Sequence, residues 1–153
     1  MDALPSENLM ESMEPASAAM NAARHFAVVK APVDRVYEQW SRLEDLPKFI
    51  TPLRAVRRID DTHFSYTWDP NGEDQNGIFH IVLQIPGRRI AWRTMSNGFM
   101  SGVVSFEPRS QQETEVTLKI RSIFDSPSLS RRVEQYLRNF KRLVENADEK
   151  FSD

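Results

Sequence analysis

The residues that could do chemistry in this chain are few. His25, His63 and His80 lie far apart, and no cysteine accompanies them, so no thiolate or zinc-type spacing can be assembled and no metal is expected. There is no G-x-G-x-x-G, P-loop or nucleophile elbow. The carboxylates Asp60, Asp61, Asp69 and Glu73 stand in turn-forming stretches, where solvation is the ordinary state. General acid–base chemistry needs a titratable group within hydrogen-bond reach of a substrate. That leaves Tyr66 and His25 as the groups able to move a proton. A tyrosine with a pKa of about 10 is a poor base at neutral pH but a serviceable hydrogen-bond donor.

The elements that must position these residues begin with a strand over Arg24–Lys30. Ala31-Pro32 ends it. Val33, Val36, Tyr37 and Trp40 then recur at helical spacing, and a further helical turn covers Leu43–Leu46 before Pro47. Trp40 and Phe49 read as packing residues. Arg54–Asp60 and His63–Trp68 read as strands around the Asp60-Asp61 turn, with Phe64, Tyr66 and Trp68 on one face. Asp69–Gly77 is a loop by its Asp-Pro and Asn-Gly pairs.

Ile78–Ile85, Arg89–Met95, Phe99–Glu107 and Thr114–Phe124 follow as strands of an antiparallel meander. Pro86-Gly87 suits a type II turn and Asn97-Gly98 a type I′ hairpin; Pro108–Glu113 reads as a polar loop. Strict alternation puts Phe79, Ile81, Leu83, Ile85, Ile90, Trp92, Thr94, Met100, Val104, Phe106, Val116, Leu118, Ile120, Ser122 and Phe124 on the inner face. His80 then faces outward, His63 sits at a strand start, and the first strand is too short to orient His25. The last element is long. Leu129, Val133, Tyr136, Leu137, Phe140, Leu143, Val144 and Ala147 fall on one stripe of a helix over Pro127–Asp148, with Ser126 suited to the N-cap.

A chain of 153 residues fits one domain. Residues 1–22 read as a mobile acidic extension: Asp2, Glu7, Glu11 and Glu14 precede Arg24, the first basic residue, leaving 18 acidic against 20 basic residues beyond. The net charge is −2. The absence of cysteine suits a reducing, cytoplasmic setting, and neither a signal peptide nor a membrane-spanning run is expected. Arg131 and Arg132 oppose the helix dipole at the start of the long helix, which fits an anionic partner or lipid head group nearby.

The segments VVKAPVDRVYEQWSRLEDLPKFI, IPGRRIAWRT, GVVSFEP, TEVTLKI and LRNFKRLVE resemble the polyketide cyclase/dehydrase-like members of the START-related SRPBCC superfamily, with the coenzyme Q-binding START-type proteins as close relatives. The resemblance spans residues 24–148. It implies an α+β helix-grip fold in residues 23–150: one strand, two small helices, six strands and a long C-terminal helix in the concave face of the sheet. It also implies a deep apolar cavity between sheet and helix.

The resulting expectation is a domain that binds a hydrophobic small molecule, lipid, polyketide or quinone-like. Its ligand-binding residues would be Tyr66, Trp68, Phe79, Ile81, Trp92, Thr94, Phe106, Ile120, Ser122, Leu137, Phe140 and Val144. One alternative is a polyketide aromatase/cyclase or dehydratase using the same cavity, with Tyr66 or His25 moving protons. Another is a quinone chaperone serving a membrane partner. No cofactor, nucleic-acid partner or stable membrane insertion is expected.

Overall fold

A computed structural model describes residues 21–51, 53–69, 72–95, 100–122 and 126–152, with side chains from 128 to 147 in the last helix. Seven strands form one antiparallel sheet: β1 (Asn21–Val29), β2 (Leu53–Arg58), β3 (His63–Trp68), β4 (Gln75–Ile85), β5 (Arg89–Thr94), β6 (Met100–Ser110) and β7 (Glu113–Ser122), in spatial order β1-β7-β6-β5-β4-β3-β2. Helix α1 (Val33–Ser41), a 3-10 turn (Leu43–Lys48) and the long helix α2 (Ser126–Ser152) cover one face. This is the helix-grip architecture. No described helix is long and apolar enough to cross a membrane.

The stripe read from the sequence is the buried face of α2: Leu129, Val133, Tyr136, Leu137, Phe140 and Val144 are all buried. The helix lies chiefly on β1 and also contacts β7. Phe140 is fully buried, with its ring centroid 4.8 Å from Trp40 and 4.9 Å from Phe49. Each such ring removed from water contributes about 1.5–3 kcal/mol. Buried Thr114 donates from its hydroxyl to the Ala31 carbonyl at 2.8 Å, which ties the α1 side of the first crossover to β7.

Local chemistry explains the turns. Gly87 has φ 74°, and the Arg88 amide donates to the Ile85 carbonyl at 2.9 Å, as a type II turn with Pro then Gly requires. One Asp60 carboxylate oxygen accepts from the Thr62 amide at 2.9 Å, the His63 amide at 2.8 Å and the His63 Nδ1 at 2.9 Å. Those bonds, led by the Thr62 amide, lower its pKa to about 2.

Several boundaries move. Asn21 and Ala22, expected in the extension, belong to β1, which pairs with β7 from Asn21↔Ser122 onward; residues 1–20 lie outside the described set. Strand β4 starts at Gln75 rather than after Gly77, and β6 runs to Ser110, leaving only Gln111 and Gln112 as the turn. The Asn97-Gly98 hairpin and Phe124 also lie outside the described residues, as does the side chain of Ser126, where α2 begins.

One alternation fails. The register of β4 on β5 shifts between Ile81 and Leu83. A bulge adds a residue and inverts every later side chain. Leu83 and Ile85, expected inside, are exposed. Gln84 takes the inward position opposite buried Ile90, and its amide donates to the Tyr37 hydroxyl at 3.0 Å.

Candidate functional site

The concave face is packed over β1, β6 and β7, where α2 and α1 lie, and hollow over β3 to β5. A cavity of about 290 Å³ is lined by Trp40, Leu43, Leu46, Ile50, Leu53, Tyr66, Trp68, Gln75, Asn76, Phe79, Ile81, Ile90, Trp92, Thr94 and Met100. Its walls come from β3, β4 and β5 together with α1 and the 3-10 turn. Trp68, Gln75, Thr94 and Met100 stand at strand ends on one edge of the sheet, so the cavity reaches that edge, while Ile81 and Ile90 lie deeper.

Two glycines keep this space open. Tyr66 is the cross-strand partner of Gly77, and Trp92 that of Gly102. A Cβ at Gly77 would overlap the Tyr66 ring, and one at Gly102 would overlap the Trp92 indole. Each ring therefore lies flat over the glycine of the next strand, in the manner of aromatic rescue. Any larger residue at either position would push its ring toward the cavity.

The polar groups on the wall differ in how far they are committed. The Thr94 hydroxyl donates to the Met100 carbonyl at 3.2 Å and accepts from the Met100 amide at 3.0 Å, so it serves the β5–β6 end. The Asn76 side-chain oxygen accepts from the Thr67 hydroxyl at 3.0 Å. Tyr66 is half-buried and has no hydrogen-bond partner among the described residues. Partial desolvation holds its phenol pKa above the ordinary 10.0, so the hydroxyl stays protonated at neutral pH and is a donor on the cavity wall. No carboxylate, imidazole, ammonium or guanidinium is among the described lining residues.

Of the twelve residues singled out for ligand binding, Tyr66, Trp68, Phe79, Ile81, Trp92 and Thr94 line the cavity. The other six do not. Phe106 packs against Tyr37 at 5.4 Å, Phe140 forms a triangle of rings with Trp40 and Phe49, and Ile120, Ser122, Leu137 and Val144 are buried in the packed half. His25 faces α2, with its Nε2 2.8 Å from the Ser130 hydroxyl, and is not among the lining residues. His63 and His80 stack on the other face of the sheet, centroids 4.4 Å apart. Among the described residues no cluster of His, Cys, Asp or Glu could hold a metal ion.

Sequence reasoning missed Leu43, Leu46, Ile50 and Leu53, which close the cavity from the helical side. Their apolar character was visible, but a 3-10 turn with Pro47 inside it has no clean period to orient them. Arg132, noted for opposing the helix dipole, sits over the Trp68 ring at 5.7 Å and hydrogen-bonds the Tyr136 hydroxyl. Burial pushes the Tyr136 phenol up, and Arg132 partly counters this.

A helix-grip domain with an apolar cavity walled by half of its sheet is the class this arrangement defines. The sequence matches the family described as polyketide cyclase / dehydrase and lipid transport over residues 29–147, and the chain belongs to that family. It is 29% identical over 124 residues to an uncharacterised 17.2 kDa protein from the melC2-rnhH intergenic region of Streptomyces lincolnensis, covering 80% of this chain and 81% of that one.

Among solved structures it resembles DR_A0006 from Deinococcus radiodurans, with TM-score 0.69 and 27% identity over 80% of this chain and 95% of that one. The Zhui aromatase/cyclase from Streptomyces sp. R1128 has TM-score 0.67 and 18% identity over 82% and 94% of the two chains. A START superfamily protein from Mycobacterium smegmatis has TM-score 0.66 and 12% identity over 85% and 98%. The last two likenesses are likenesses of fold.

Proposed function

We propose that this protein binds a hydrophobic small molecule, lipid, polyketide or quinone-like, in the cavity between β3–β5 and the 3-10 turn. The observation that carries the reading is a mostly apolar space whose wall presents the Tyr66 hydroxyl, which has no hydrogen-bond partner among the described residues. Binding cavities are mostly apolar with a few placed polar groups, and about 290 Å³ is at the small end of their usual range. Tyr66 and Gln75 orient a carbonyl or hydroxyl of the ligand, and Trp68, Phe79, Ile81 and Trp92 hold its apolar body. The family supports a second reading, an aromatase/cyclase or dehydratase acting on a polyketide chain. There the wall would hold a reactive chain in a near-attack shape, and the proton transfers would fall to Tyr66.

Native mass spectrometry of freshly purified protein tests the first reading, followed by identification of the released organic molecule. Calorimetric titration with a medium-chain fatty acid, a short-chain quinone and an aromatic polyketide completes it. An endogenous hydrophobic ligand, or saturable binding of one probe that is lost when the cavity is filled, is the expected outcome. Failure of all three probes together with an empty native spectrum would sink it. Multiple-turnover conversion of a polyketide substrate that collapses in Tyr66→Phe, with binding intact, would favour the cyclase.

A further inference from the structure

The face of the sheet opposite the helices has a charge pattern that the cavity does not use. Cross-strand register places Ala91, Val103, Lys119 and Arg24 in one row across β5, β6, β7 and β1. Arg89 and Arg93 flank Ala91 on the same side of β5. The four cations Arg24, Arg89, Arg93 and Lys119 are exposed and have no ion-pair partner among the described residues. The only carboxylates on any of the seven strands are Glu107, Glu113 and Glu115. They lie toward the far end of β6 and β7, where Glu115 is engaged by Arg109.

Beside these cations runs an apolar stripe. Ile78 and Val82 already faced outward on β4, and the bulge turns Leu83 and Ile85 out beside them. All four are exposed, between 38% and 50%. Phe26, 57% exposed, adds a ring on β1. A chain of net charge −2 thus gathers unpaired positive charge and exposed apolar side chains on one broad surface.

We propose that this outer sheet face docks reversibly on an anionic lipid bilayer. The occupant follows from charge complementarity and from the mixture of side chains. A carpet of lipid phosphates neutralises dispersed cations without matching their spacing, and short apolar side chains enter the boundary between head groups and acyl chains. An acidic protein would neutralise the same cations but would leave the β4 stripe unexplained unless it also carried a matching apolar ridge. The inference is independent of what the cavity holds.

The test is co-sedimentation of the full chain with vesicles of phosphatidylcholine, alone or with about 30% phosphatidylglycerol, at about 0.05 and 0.5 M salt. Binding is expected only to the anionic vesicles and only at low salt. Neutralising one surface cation should weaken partition about fivefold, so Arg93→Gln with Lys119→Gln should weaken it about 25-fold. Val82→Ser with Leu83→Ser should also weaken it while leaving the salt dependence in place. Arg142→Gln, on α2, should change nothing. These side chains are exposed, so the variants should melt with the parent. Equal partition to both vesicle types, or binding unaffected by the double substitutions, would overturn the proposal. So would vesicles left unbound while a polyglutamate resin retains the parent but not the Arg93/Lys119 variant; that result would assign the face to an acidic protein.

Discussion

The two halves of the concave surface are built from the same kinds of side chain and end differently. On β1, β6 and β7, covered by α2 and α1, the space is full: Val104, Val116, Leu118, Val133 and Phe140 are inaccessible. On β3 to β5, with Trp40 and the 3-10 turn opposite, mostly apolar residues surround a void. Composition does not separate the halves. What differs is what stands opposite the sheet. The 27-residue α2 and the shorter α1 both deliver buried side chains into the packed half, whereas a six-residue turn containing Pro47 closes the other. The glycines opposite Tyr66 and Trp92 then let large rings lie flat instead of filling the gap. A cavity in this fold is therefore a property of the covering elements as much as of its wall.

The largest effect expected is in the packed half. Phe140→Ala removes a ring held on several sides and should cost about 3–5 kcal/mol in urea denaturation, with little change in affinity for a cavity ligand. A loss of affinity matching the loss of stability would break the comparison by showing that the two halves act as one.

A paired measurement sharpens it with chemistry held constant. Leu137→Ala in the packed half should fall near the upper part of the roughly 2–5 kcal/mol range for such truncations, and Leu46→Ala on the cavity wall near the lower part. Leu46 has the void on one side and so loses fewer contacts. Equal costs would mean that the void closes around its walls in solution.

Next comes Gly102→Ala. The new methyl takes the place where the Trp92 indole lies, and the ring must swing toward the cavity. Overpacking of this kind costs about 1–3 kcal/mol. Ligand affinity should fall about tenfold or more, since about 1.4 kcal/mol of lost binding already gives that factor. An unchanged affinity would show that the indole yields in another direction.

The sequence made the elements legible because their periods were long and undisturbed. The buried stripe of α2 and the alternation on β3 and β7 needed nothing beyond spacing. The cavity-facing side of β3, β4 and β5 was legible for the same reason, from Tyr66 to Thr94. Two things were not. The bulge at Val82–Leu83 leaves no local mark, since Ile-Val-Leu-Gln-Ile alternates as an undisturbed strand would, with the apolar Ile81, Leu83 and Ile85 on one face. And the boundary between packed and hollow depends on which element covers which strand. That is a tertiary fact, and it is why spacing alone did not separate Phe106, Leu137 and Phe140, which are packed, from Trp92, which lines the cavity.

The smallest effect expected is at Tyr66, and it is the most informative about what the hollow half does. Its hydroxyl has no partner among the described residues, so removing it should leave the urea midpoint unchanged, with no hydrogen bond to a described residue to lose. Partial burial raises the phenol pKa, meaning the neutral form is favoured and the donor persists from neutral pH up to at least the ordinary titration of about 10. Affinity for a ligand with a carbonyl should therefore be flat between about pH 6 and 9. Tyr66→Phe should weaken it by about 0.5–1.5 kcal/mol, the value of one neutral hydrogen bond. An equal affinity in the two proteins would put the ligand's polar group elsewhere, with Gln75 the next donor to replace. A pH-dependent affinity in the parent that vanishes in Tyr66→Phe would instead mean that the phenol titrates within the working range. That would make proton transfer from this hydroxyl, and with it turnover, the better account of the cavity.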